Sequence, residues 1–181
     1  MDIYGLNPTL ITERPKMIDF DEASEEERDE YFGMLEDWES KNPGYYFRAN
    51  VWWWRPIWEF TCEMCEDILT EEDKQRGHYN EGYQYSAEKT QKIVDKLSAV
   101  IATNMHHQYD RDYKKQQEEL PDSDCETCEG KGWKDASKQE DCHACNGKGT
   151  VSHFGKSYPF EPEVIEEWYE FLKNSGGFQI L

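Results

Sequence analysis

No run of about 18 apolar residues occurs anywhere in the 181-residue sequence, which excludes a membrane-spanning helix. Apolar residues as a class are scarce, at 36%, against roughly 45–50% in ordinary globular domains. Bases are few: 20 Lys and Arg stand against 39 Asp and Glu, a net charge of -19. A duplex-binding surface needs clustered Lys and Arg to neutralise phosphates, so direct binding of double-stranded nucleic acid is not expected. Met1–Leu10 has neither the basic region nor the apolar core of a secretory leader, so a cytoplasmic location is expected. No P-loop, G-x-G-x-x-G, H-E-x-x-H or ordered Ser-His-Asp pattern occurs, and an enzyme is not expected. Aromatic residues are plentiful instead, at 14%, with 7 Trp and 11 Tyr. A few large side chains must therefore build the core.

Hydrophobic spacing predicts a mainly α-helical body. Met1–Phe20, punctuated by Gly5, Pro8 and Pro15, reads as an extended arm. Asp19–Glu39 is crowded with acids, Arg28 being its lone base; Ser24 and Glu27 form a capping box there, and Tyr31, Leu35 and Trp38 a narrow apolar stripe. In the aromatic block Tyr45–Pro56, Pro56 is placed as the first residue of a second helix, since proline suits that position and disfavours helix just before it. Trp58, Cys62, Cys65 and Leu69 then share one face. Thr70 caps a short turn that Gly77 closes, and His78–Gly82 reads as a loop. Ser86 caps the longest periodic segment, with Ile93, Leu97, Val100 and Met105 inward, continuing to Leu120 before Pro121. Pro162 starts a last helix whose inner side carries Ile165, Trp168 and Phe171. Gly176-Gly177 ends it, and Phe178–Leu181 docks back on the body.

Between these helices two segments share one form, C-x-x-C-x-G-x-G: Cys125-Glu126-Thr127-Cys128-Glu129-Gly130-Lys131-Gly132 and Cys142-His143-Ala144-Cys145-Asn146-Gly147-Lys148-Gly149. Two thiolates separated by two residues grip a metal from a tight turn, and a second such turn completes a tetrahedron. The glycines allow positive φ after each second Cys, so that backbone N–H groups point at sulfur. Cys125, Cys128, Cys142 and Cys145 are therefore assigned to one structural Zn²⁺, with Lys131 and Lys148 offsetting part of its negative shell. Redox disulfides are the rival reading, but they give no reason for the repeated glycines. His143 is read as a spacer.

These residues resemble the cysteine-rich zinc module of DnaJ-type chaperones, over Asp122 to Val151. That family carries four repeats and two zincs, so two repeats imply one ion, on an extended β-hairpin arm. No His-Pro-Asp tripeptide occurs, so stimulation of a partner ATPase is not implied. Elsewhere, Ile3–Pro8, Tyr46–Pro56 and Asn174–Phe178 are similar to segments of small bacteriophage and bacterial proteins. This resemblance implies that the arm is an insertion between the last two helices of a helical body, and that a phage-encoded chain acts in the host cytoplasm. The expected architecture is thus mainly α, α+β overall: a body of residues 1–120 and 152–181, with a four-cysteine zinc hairpin at 121–151.

Other constellations admit two uses. Cys62-Glu63-Met64-Cys65 lacks the glycine tail and reads as core packing, with redox or metal chemistry the minority reading. Trp52, Trp54 and Arg55 suit either a pocket for a flat, anionic ligand or a structural cluster. Arg48, Asn50, His78, Asn80, Ser175 and Gly176 supply polar chemistry for a small-molecule site if they converge. His106-His107 reads as a solvated or packed pair, because neighbouring helical side chains diverge by about 100°. The preferred function is a non-enzymatic, zinc-stabilised binding protein of phage or prophage type that contacts a host or phage protein. One alternative is an acidic nucleic-acid mimic blocking a host DNA- or RNA-binding defence enzyme. The other is a small-molecule or nucleotide-binding, sequestering protein.

Overall fold

The computed structural model describes residues 1–135 and 140–181, with the backbone alone at 134 and 135. Among them are six α-helices, a four-stranded antiparallel sheet and two short two-stranded ladders, a mainly helical α+β architecture. Asp2–Gly5 forms strand β1, which corrects the expected extended arm at its first residues. Ile3 pairs with Phe47 on one side and Ile180 on the other, a register that buries all three and that no local pattern announces.

Helix α1, Glu25–Lys41, starts where expected. The Ser24 hydroxyl accepts the Glu27 N–H while the Glu27 carboxylate accepts the Ser24 N–H, satisfying two free donors reciprocally. It buries only Tyr31 and Trp38, leaving its carboxylates in solvent. Strand β2, Tyr46–Arg48, follows. Helix α2 then spans Val51–Met64, so Pro56 lies inside it rather than at its start. The cap is Asn50, whose side-chain oxygen accepts the N–H groups of Trp52 and Trp53. Burial of Trp54, Ile57 and Trp58 at helical spacing outweighs the backbone hydrogen bond that Pro56 removes.

Thr70 caps α3, Glu71–Arg76, through a second reciprocal box with Asp73. Strand β3 is Tyr83–Tyr85, and Ser86 caps α4, Ala87–Ala102. The long segment is not continuous. Asn104 takes a left-handed conformation, φ 57°, and α5 begins afresh at Met105–Glu119. Asparagine tolerates that conformation better than most side chains, and the break lets α5 turn back toward the last helix. A 3₁₀ turn, Phe154–Ser157, leads to α6, Pro162–Ser175, with Pro162 at its first position and Gly176 at its left-handed cap. Strand β8, Phe178–Ile180, is inserted between β1 and β3, giving the sheet order β2-β1-β8-β3.

The core joins sheet and helices through tryptophan. Trp54 stacks on Trp58 at 5.5 Å and meets Trp168 edge-on at 5.2 Å. Each indole N–H has an acceptor: the Gly77 carbonyl, the Lys74 carbonyl and the Thr61 hydroxyl respectively. A side chain at Gly77 would run into the Trp58 ring, so glycine there serves close approach as well as the turn. Beneath lies Asp73, sealed from solvent, which accepts from Thr70, Tyr83 and, at 2.6 Å, from the Lys89 ammonium.

In the inserted segment β4, Ser123–Asp124, pairs with β7, Thr150–Val151, and β5, Trp133–Asp135, pairs with β6, Glu140–Asp141. Residues 136–139 of the expected hairpin lie outside the described residues. Among the described residues no helix is long and apolar enough to cross a membrane.

Candidate metal centre

The two cysteine repeats fold as two copies of one turn, facing each other. In each, the residue after the second Cys and both glycines have positive φ: Glu129 53°, Gly130 79° and Gly132 80° against Asn146 50°, Gly147 78° and Gly149 79°. The glycines answer the expectation; Glu129 and Asn146 extend it, since each starts the same left-handed bend without being glycine. The second glycine of each repeat lies against a carbonyl of the other, Gly132 on Gly147 and Gly149 on Gly130, where no Cβ fits. The bend turns the Gly132 N–H onto Cys128 Sγ at 3.3 Å and the Gly149 N–H onto Cys145 Sγ at 3.2 Å. Such donors spread the charge that thiolates accumulate around a cation.

The four sulfurs lie within 4.8 Å of one another, and the Cys125–Cys142 and Cys128–Cys145 separations are both 3.8 Å. A tetrahedron with metal–sulfur bonds of about 2.3 Å has edges of about 3.8 Å, so the donor set fits one ion. All four cysteines are between 1% and 5% exposed, which closes the shell to solvent. This buried group can hold a metal ion. Burial resists charge on Cys125, but hydrogen bonds from the backbone of Cys128 and Thr127 and from neighbouring thiols favour its thiolate, while burial and the surrounding sulfurs hold the Cys128 thiol up. Lys131 pairs with Glu129 at 2.6 Å.

Sequence reasoning missed the residue before each first cysteine. Asp124 and Asp141 place their carboxylates over Gly130 and Gly147, each within its own repeat. The signal was present: both repeats read Asp-Cys-x-x-Cys. His143 is exposed between its cysteines, consistent with a spacer.

The other candidates fall in several places. Trp54 is fully enclosed in the core, and Asn50 is engaged as the α2 cap. Trp52, 39% exposed, packs on Phe154 and Tyr158. Arg55 donates to the Tyr158 hydroxyl at 2.6 Å and lines a cleft of about 320 Å³ with Glu59, Tyr113 and Gln117. His78 is half-buried, and that burial, with the Arg55 charge, lowers its pKa. Arg48 and Asn50 border a different cleft, while Asn80 is exposed on its loop. The Ser175 hydroxyl donates to the Leu172 carbonyl, and Gly176 packs on Asn7. Cys65 is buried and Cys62 half-buried on α2 and its C-terminal end, and burial pushes both thiols up to about 12, as core cysteines behave.

Comparison of the chain with family models, curated proteins and solved structures finds no match.

Proposed function

We propose that the chain is a non-enzymatic binding protein of phage or prophage type, whose zinc-braced arm and adjoining aromatic surface contact a host or phage protein in the bacterial cytoplasm. The observation that carries this reading is the closed sulfur shell. Four buried cysteines at tetrahedral spacing leave no position for a reacting water, which suits an ion that shapes the chain rather than one that does chemistry. Zinc is the ion proposed, because four thiolates in a tetrahedron satisfy it without a ligand-field preference. The DnaJ-type form of the repeats supports the same assignment.

Two exposed aromatic groups supply a contact surface. Trp133, 48% exposed, stands on β5 beyond the first cysteine turn. At the root of the arm, Trp52, Phe154 and Tyr158 form a cluster with ring centroids 5.2–5.3 Å apart. Exposed Trp and Tyr are the side-chain types that dominate binding energy at protein interfaces. The test pairs elemental analysis with affinity capture from a bacterial lysate. One zinc per four arm cysteines is expected, with a captured protein released by Trp133→Ala or by Trp52→Ala with Phe154→Ala. Zinc-free, fully folded protein, or capture indifferent to both sets of substitutions, would overturn the proposal.

A second reading rests on α1, which presents its carboxylates to solvent along most of its length. Such a row suits mimicry of nucleic-acid phosphates in the basic groove of a host enzyme. In that case salt raised to roughly 0.5 M weakens the captured complex by about a hundredfold, and neutralising the α1 acids abolishes it while the aromatic substitutions do not.

A further inference from the structure

We infer that His106, His107 and Glu166 form a second divalent-metal site, built of nitrogen and oxygen donors, where the start of α5 meets α6. One ligand atom from each of the three residues lies within 4.8 Å of the others. The Nε2 of His106 is already 3.3 Å from Glu166 Oε1. Metal bonds of about 2.1 Å set tetrahedral ligand atoms about 3.4 Å apart, so this pair stands at coordination spacing. The third donor comes from an unexpected direction. Adjacent helical residues ordinarily diverge, yet at the first turn after Asn104 the His106 and His107 rings lie with centroids 4.3 Å apart. His107 is half-buried.

Polar atoms are also left unsatisfied in the interior beside the cluster. His106 is 1% exposed, and its Nδ1 is buried with no hydrogen-bond partner. One turn along the same face of α5, Asp110 Oδ1 is buried and equally without a partner. Two orphaned polar atoms one turn apart are costly in a helix that gains nothing from them. A metal-ligating histidine commonly presents its second ring nitrogen to a carboxylate, which fixes the tautomer and strengthens the donor. Asp110, one turn on along α5, is the carboxylate proposed to turn toward that nitrogen once His106 ligates through Nε2; its other oxygen pairs with Lys114 at 2.8 Å.

Electrostatics draw a cation to the same place. Glu166 also borders an open cleft of about 460 Å³ whose rim carries Glu39, Glu163, Glu167 and Glu170. Carboxylates around a partly enclosed opening concentrate counter-ions there. The positive end of α5 opposes a cation weakly, and the glutamates of α6 outnumber it. Two imidazoles and one carboxylate suit first-row divalent ions such as Zn²⁺, Co²⁺ or Ni²⁺ better than Mg²⁺ or Ca²⁺. Three protein donors leave part of the coordination sphere open, in contrast to the closed sulfur shell.

Titration of the full chain with Co²⁺ tests this, because the two sites differ in colour. Thiolate coordination gives intense charge-transfer bands, whereas nitrogen and oxygen donors give only weak visible bands. Two equivalents per chain are expected, the second free of charge-transfer intensity. Glu166→Gln, at a side chain half in solvent, and His107→Gln each weaken the second equivalent by more than about tenfold and leave the thiolate bands intact. Asp110→Asn weakens it by about tenfold as well. Uptake that stops at one equivalent, or a second equivalent unmoved by Glu166→Gln and His107→Gln, would overturn the inference. The thiolate bands report on the cysteine centre separately, so failure of one site is not mistaken for failure of the other.

Discussion

In the body, Trp54, Trp58 and Trp168 are sealed from water and every indole N–H finds an acceptor. In the arm, Val151 is the hydrophobic side chain that packs on the four cysteines among the described residues. The first region is held by apolar area and dispersion, the second by sulfur donors around one centre. A segment this short cannot bury enough apolar surface to offset the entropy of ordering its chain. On the proposed reading metal binding and arm folding are one event, and the body should fold without the ion.

The strongest way to break this contrast is to remove the metal. A tight chelator, or Cys128→Ser with Cys145→Ser, should unfold residues 122–151 and lower metal affinity by more than about a hundredfold. Amide chemical-shift dispersion should collapse for the arm alone, with the near-ultraviolet signal of the buried tryptophans preserved. A global loss of structure would show that the two regions are not separable.

The reverse perturbation acts on the body. Asp73→Ala strands the Lys89 ammonium and two hydroxyl donors, and should cost about 3–5 kcal/mol in denaturant unfolding with metal content unchanged. The Asp73 carboxyl lies below its ordinary range: burial works to raise it, and hydrogen bonds from Lys89 and Thr70 overcome that. A depressed acid stabilises the folded state above its unfolded pKa and loses that contribution as pH falls through the folded value. Wild-type stability should therefore decline below about pH 4, and the Asp73→Ala chain should show a shallower decline there.

Smaller changes sharpen the comparison. Gly149→Ala places a Cβ at positive φ against the Gly130 carbonyl and should cost about 1–3 kcal/mol of arm stability. It should be read out as weaker metal retention with an unchanged body transition. Ser24→Ala removes the α1 cap and should cost about 1 kcal/mol in the body alone, seen as a small drop in the denaturant midpoint.

Features written in a few consecutive residues were legible in the sequence. The caps at Ser24, Thr70 and Ser86, the Pro162 start and the cysteine repeats all rest on chemistry within one or two turns of chain. The sheet was not legible, because strands of three or four residues are too short to display a period of two, and Ile3 finds Ile180 only across the whole fold. Pro56 misled because proline is a helix starter by habit, whereas here Asn50 caps first and three enclosed side chains hold the turn together. Asn104 broke a segment whose other residues all tolerate helix, and its tolerance of left-handed backbone was the available hint. Glu166 could not be read as a companion of His106-His107, since sixty residues separate them and only the packing of α6 on α5 brings them together.

The cysteine cluster lies between two ladders: β4 with β7 on the helical side, β5 with β6 beyond. Mechanically it is a rivet. A tug on Trp133 reaches the helices through the joint where both turns clasp, so the stiffness felt at Trp133 is set at that point. Pulling a single molecule by the two ends of its arm should show a single yielding step that vanishes when the rivet is withdrawn, leaving a slack leash on an intact anchor.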